Sequence, residues 1–188
     1  MPELLFTLIS GLGPISDQLK EDITLRLKFD SFPRKHKILS EGQVSDYLYF
    51  IEKGLLRAYY EKDGQDTSSW FMKENDFVIS VRSFYGRLPS YEAIEVLEDC
   101  ELYFIHYDDL MELYEIHPEF NLIGRKLTEY YYGKSEERSF IMRGQRAQDK
   151  YEFLRNNYGE LLNRVQVKDI ASYLGISPET LSRIRSMM

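Results

Sequence analysis

The sequence predicts an α+β chain: an N-terminal β-roll of the double-stranded β-helix or jelly-roll kind, then one long helix, then a helical C-terminal region. Three observations predict it. Between Asp30 and Tyr107, short apolar or alternating runs follow one another, broken by Gly42, Gly54, Gly64, Gly86 and Pro89, the punctuation of a β-roll. From Glu119 to Met142, Phe120, Ile123, Leu127, Tyr130 or Tyr131, Lys134, Arg138 and Ile141 recur at helical spacing close to a coiled-coil seam. Finally, VKDIASYLGISPETLSRIR, from Val167 to Arg185, has the pattern of two short helices joined by a tight turn.

Composition sets the outer bounds. A chain of 188 residues with 43% apolar and 29% charged residues is long enough for one large or two small globular domains. No run reaches the roughly 18 apolar residues that span a bilayer, and MPELLFTLISGLGPIS lacks a basic leader, so neither membrane insertion nor a signal peptide is expected. The single cysteine, Cys100, cannot form an internal disulfide or hold zinc or an iron-sulfur cluster alone. A reducing cytoplasmic setting is the expectation.

Taken in order, Ser16 and Asp17 cap a helix in which Leu19, Ile23 and Leu27 recur on one side. The runs HKILSEG, DYLYFIEKG, LLRAYYEKDG, TSSWFMKEND, FVISVRSF, EAIEVLED and CELYFIHY supply seven or eight strands. Asp63-Gly64 is a hairpin turn, and the run at Tyr47–Ile51 is apolar on both faces, as in a strand buried on both sides. DDLMELYEIHPEF is a short helix stopped near Pro118; the long helix follows, then a helical unit from Gln145 to Asn156. The long helix is longer than a small domain needs, which suggests pairing with a second copy. The expected domains are 1–117, 118–144 and 145–188.

In the last segment Ile170, Leu174, Ile176, Leu181 and Ile184 fall where two crossing helices bury them, and Ala171 lets the axes approach. Gly175 can take the positive φ of the turn. Ser177 caps the second helix, Pro178 occupies its first turn, and Glu179 lies at its dipole-favoured start. Thr180, Ser182, Arg183 and Arg185 are left outside, a short-polar and basic face suited to base edges and phosphates. A plain helical hairpin could share one of these features; all of them together favour a DNA-reading helix-turn-helix. Charge distribution agrees. Residues 1–133 carry 14 Lys and Arg against 24 Asp and Glu, a balance of −10, while residues 134–188 carry 10 against 7, a balance of +3. The net −7 therefore conceals a basic C-terminal region.

The order of parts resembles the Crp/Fnr family of bacterial transcription regulators. Gly42, Tyr49-Phe50-Ile51, Gly54, Arg57 and Tyr59 in the roll, KYEFL at Lys150–Leu154, and above all IASYLGISPETLSRI carry the resemblance. It implies a cyclic-nucleotide-binding-like sensory roll, a homodimer paired along the long helix, double-stranded DNA as partner, contact with RNA polymerase, and no enzymatic activity. Carried over by position, Glu179 and Arg183 read base edges, Ser177 and Thr180 hold phosphates, and Lys168 and Arg185 anchor the backbone. Pro178 stands where the family often has Arg, so one base contact is expected to be missing. The family's β-hairpin wing does not follow the recognition helix before Met188, and a wingless, winged-helix-like domain is expected.

Relatives that bind a cyclic nucleotide carry F-G-E-L in the roll and an Arg some ten residues on. Here Phe77-Val78-Ile79-Ser80-Val81 puts Ile79 at the Gly and Ser80 at the Glu, and the Arg position falls at Ser90 or Tyr91, with Arg82 and Arg87 out of register. A buried phosphodiester would lack its counter-charge at a cost of several kcal/mol. Cyclic AMP is not the expected effector; Phe77, Ile79, Ser80, Val81, Arg82, Ser90 and Tyr91 are the candidate pocket for an unidentified small molecule. No metal or cofactor is expected: His36, His106 and His117 lie in separate segments without ligand spacing, and no nucleophile-base pair or His-rich triad suggests an enzyme. The alternative to a regulator is a small-molecule or nucleotide-binding protein with a vestigial DNA-binding region.

Overall fold

The computed structural model describes residues 2–187; Met1 and Met188, the outer bounds of the expected terminal domains, lie outside the described residues. The chain forms two compact units, Met1–Ala58 with Phe71–Glu129 and Tyr59–Trp70 with Tyr130–Met188. This division takes a hairpin tip out of the roll and assigns it to the C-terminal helices, and it parts the long helix between Glu129 and Tyr130.

The first unit opens with α1 (Glu3–Leu12) and α2 (Asp17–Arg26), the latter capped by Ser16, whose Oγ accepts the Leu19 N–H at 3.2 Å. Strands β1 (Lys28–Phe32), β2 (Lys37–Leu39), β3 (Tyr47–Lys53), β4 (Leu55–Lys62), β5 (Gln65–Lys73) and β6 (Phe77–Val78) follow. Next come α3 (Val81–Gly86), β7 (Ala93–Val96), β8 (Cys100–His106), α4 (Tyr107–Ile116) and α5 (Pro118–Gly144). The strands form two four-stranded sheets, ordered β1-β8-β3-β6 and β2-β7-β4-β5. Asp63 and Gly64 both take left-handed φ, 53° and 74°, as a two-residue hairpin requires.

One run expected as strand is partly helix. After β6 the run FVISVRSF leaves the sheet at Ile79, and Ser80, with its carbonyl accepting the Phe84 N–H at 2.7 Å, starts α3. Phe84, four residues on, is fully buried there, so burial on a helical spacing overrides the apparent alternation.

The first unit's core lies where the outer face of the β1-β8-β3-β6 sheet meets α1, α2, α4 and the start of α5. Leu48, Phe50, Tyr103 and Ile105 come from the sheet, and Ile9, Leu19, Ile23, Leu113, Phe120 and Ile123 from the helices. Burying each large apolar side chain stabilises the unit by about 1.5–3 kcal/mol. His117, between α4 and α5, ties this layer to α2 through a 2.7 Å hydrogen bond from Nε2 to Asp22 Oδ2. That contact, ahead of the others, holds the Asp22 carboxyl below its usual range.

The second unit contains α6 (Ala147–Tyr158), α7 (Leu161–Arg164), α8 (Val167–Leu174) and α9 (Pro178–Ser186), packed through Leu154, Leu161, Ile170, Ala171, Leu174 and Leu181, each at most 2% exposed. The tip of the β4-β5 hairpin belongs here. The Ser68 N–H donates to Ser172 Oγ at 3.1 Å and the two hydroxyls pair at 3.1 Å, while the Arg138 guanidinium lies 4.6 Å from the Tyr173 ring centre and 5.9 Å from that of Trp70. Beyond Glu129 the α5 side chains Tyr130, Tyr132 and Phe140 are 52–68% exposed.

Candidate functional site

The helix-turn-helix is built from its turn outward. Gly175 adopts φ 64° at the C-cap of α8, and its N–H reaches back to the Ala171 and Ser172 carbonyls, the left-handed stop that a side chain would oppose. Lys150 Nζ donates to the Leu174 carbonyl at 3.3 Å, a cation on the C-terminal end of the α8 dipole. Two residues after the turn, Ser177 Oγ accepts the Thr180 N–H at 3.2 Å and Pro178 opens α9. Leu181 and Ile184 then fasten the inner side of α9 to α6 and α8.

The expected DNA-contacting residues divide by exposure. Ser177, Glu179, Ser182 and Arg183 on α9 and Lys168 on α8 are exposed, and Thr180 is half-buried beside the cap. The Glu179 carboxyl is held below the ordinary range, first by its own backbone N–H and then by the Ser177 hydroxyl, so it presents an anionic acceptor at neutral pH. Arg183 makes no ion pair among the described residues. Arg185 does not share this face. It is half-buried, its guanidinium lies 5.9 Å from the Tyr151 ring centre, and its Nε and Nη2 are buried without a hydrogen-bond partner. Its aliphatic stem covers apolar surface.

In the roll the structure brings together only part of the expected pocket. Ser80 and Ser90 are buried and adjacent, their hydroxyls 3.1 Å apart, and Ser80 Oγ donates to the Glu92 carboxylate at 2.8 Å. Ser90 Oγ donates to the Glu92 carbonyl at 2.7 Å and accepts the Glu92 N–H at 3.1 Å. Phe77 and Ile79 turn instead into the helix-facing core, and Val81, Arg82 and Tyr91 are exposed. Arg87, left-handed at the end of α3, is committed to Asp46, to the Ser45 carbonyl at 2.9 Å and to the Tyr107 ring at 4.3 Å. The loop therefore closes on itself around the Glu92 carboxylate.

Glu92 and the Arg87–Asp46 pair escaped sequence reasoning because the family pattern directs attention to Gly, Glu and Arg positions that this chain fills otherwise. A second feature lies elsewhere in the roll. Ile38 and Leu39 of β2, the loop at 43–46 and Tyr47 and Tyr49 of β3 enclose a cleft of about 380 Å³. Its signal was the tyrosine alternation at 47 and 49. Burial, chiefly, pushes the Tyr49 phenol up to about 12, so it remains a neutral donor at physiological pH. Among the described residues no group of His, Cys, Asp and Glu is placed to hold a metal ion, and no helix is long and apolar enough to cross a membrane.

Residues 29–117 match the cyclic nucleotide-binding domain family. No curated protein matches the chain. Solved structures do. FixK2 from Bradyrhizobium japonicum is 20% identical with a TM-score of 0.69, over 86% of this chain and 83% of that one. The c-di-GMP-responsive global regulator CLP of Xanthomonas campestris is 16% identical with a TM-score of 0.70, over 92% and 91%. A Crp/Fnr-family transcriptional regulator from Eubacterium rectale is 14% identical with a TM-score of 0.72, over 92% and 83%. At these identities the likeness is one of fold. Residues 29–117 thus resemble a cyclic nucleotide-binding domain, and the chain shares the fold of these three structures.

Proposed function

We propose that the protein is a cytoplasmic, homodimeric, non-enzymatic transcription regulator that binds double-stranded DNA through α8 and α9, and that its roll does not take cyclic AMP. The observation that carries this reading is the outer edge of α9, where Glu179, Ser182 and Arg183 are exposed on a helix fixed by a capped turn and a buried inner side. A guanidinium can fork onto guanine O6 and N7, and a carboxylate can accept from cytosine N4, each discriminating bases by about 1–3 kcal/mol. Tyr130, Tyr132 and Phe140, exposed along α5, give a second copy an apolar surface to cover. Pairing along α5 would present two recognition helices to half-sites about 34 Å apart.

Against cyclic AMP stand the closed Ser80–Ser90–Glu92 loop and the commitment of Arg87 to Asp46. The test is fluorescence anisotropy on duplexes selected from a random pool, over a salt series. Binding should fall steeply with salt, prefer selected over scrambled duplex, and lose that preference in Arg183→Ala. Absence of duplex binding at low salt, or a monomer in sedimentation, would overturn the reading.

A further inference from the structure

We propose that α3 and the turn after it form a contact surface for a second copy of this chain, which rests on the roll here as well as along α5. This rests on the homodimer reading above and adds to it a part of the interface that α5 does not supply. The two sides of α3 differ. Ser83 and Phe84 are buried on one, whereas Val81 is 63% and Tyr85 49% exposed. Those two stand about one helical turn apart, so they share a side. Leu88, 43% exposed, follows at the turn, where its N–H returns to the Ser83 carbonyl at 3.3 Å. Single apolar residues on a surface need no explanation; a cluster on one short element marks a contact. The Tyr85 phenol also contacts the side chain of Thr128 on α5, and Thr128 is itself exposed. The apolar strip therefore borders the outward edge of the long helix and does not lie on a remote part of the roll.

What α5 lacks identifies the occupant. As far as Glu129 the helix belongs to the first unit, and there its exposed side chains include Asn121, Arg125, Lys126, Thr128 and Glu129, while the apolar Phe120 and Ile123 are buried. Arg125 and Glu129 pair with each other at 2.6 Å. This stretch offers a second copy little apolar surface. The exposed rings Tyr130, Tyr132 and Phe140 belong to the second unit and are already a third to a half covered. At about 150–250 Å² for a whole aromatic side chain, they bring only a few hundred Å². A stable interface covers about 800 Å² per partner, more than half of it apolar. Val81, Tyr85 and Leu88 supply apolar area on the unit where α5 is polar, and two-fold symmetry would use the strip twice, once from each copy.

The experiment is sedimentation equilibrium of the full chain, wild type against Val81→Glu, Leu88→Glu, Phe140→Glu and Leu25→Glu. Glutamate suits the first turn of a helix, where Val81 stands, and the other three positions are exposed. Folding should survive in all four, which unchanged urea midpoints check. The wild type should be a dimer at micromolar concentration. Val81→Glu and Leu88→Glu should each raise its dissociation constant at least about tenfold, because a charge is placed where apolar surface is covered. Leu25→Glu, on α2 and 80% exposed, should leave it unchanged. If Phe140→Glu separates the copies while both α3 variants dimerise like the wild type, pairing runs along α5 alone; the α3 contact is then overturned and the homodimer reading stands. A monomeric wild type overturns both. Equal weakening by Leu25→Glu would mark a general response to added negative charge and would also overturn the α3 contact.

Discussion

The Ser80–Glu92 loop of the roll and the outer edge of α9 are both short, polar and serine-rich, yet they dispose of their polar groups in opposite ways. In the loop, the side-chain hydroxyls of Ser80, Ser83 and Ser90 each find a partner within the same unit, and the serines are at most 3% exposed. On α9, Glu179, Ser182 and Arg183 face solvent. A buried polar group with an internal partner is structural; one held in place by a rigid element but exposed to solvent can still meet an external ligand. The difference separates a buried, internally paired loop from an exposed helix edge.

The contrast can be broken from several sides. Leu181→Ala removes the buried anchor of α9 and should cost about 2–5 kcal/mol in urea unfolding, with DNA binding falling alongside. Arg183→Ala should instead cost about 1–3 kcal/mol of sequence-specific binding with an unchanged unfolding midpoint. Equal losses in stability and binding would mean that Arg183 is packed and not presented. Ser80→Ala leaves Ser90 and Glu92 short of a partner and should lower stability by about 1 kcal/mol; an unchanged urea midpoint would show that the loop is not closed as described. Ser177→Ala should lose about 1 kcal/mol as a helix cap, read by urea unfolding, with a smaller effect on DNA affinity than Arg183→Ala.

A control distant from both regions concerns acid. The Asp22 carboxyl is depressed in the folded state, first by its hydrogen bond to His117, so its contribution is present above the unfolded carboxylate pKa near about 4 and is lost as pH falls through the folded value. Asp22→Asn should flatten the acid limb of the stability curve, measured by urea midpoints across that range. It should leave midpoints above it parallel to the wild type.

Much of the architecture was legible because the deciding residues act locally. Ser16 and Ser177 cap the helices they precede, Asp63-Gly64 forms the hairpin, and Gly175 takes the left-handed turn. The parts that escaped depend on partners distant in sequence. Whether Val81–Gly86 is strand or helix was settled by burial of Phe84 within the core, which no short window contains. Arg185 lies among outward-facing residues in sequence, but Tyr151 of α6 draws its guanidinium inward. In the roll, substitution of the family's Gly, Glu and Arg was readable. The replacement network was not, because it joins Ser80 to Glu92 and Arg87 to Asp46 across strands and loops.

The hairpin tip at Tyr59–Trp70 belongs with the C-terminal helices while its strands continue into the roll unit. The main chain thus passes between the units three times, at 58/59, 70/71 and 129/130, and a single protease cut could not release them as separate pieces. Transplanting the C-terminal helices onto another roll would strand Ser172 and Tyr173 without Ser68 and the Arg138–Trp70 contact unless residues 59–70 travelled too. The C-terminal unit is discontinuous in sequence, so a cut that respects only linear order would divide it.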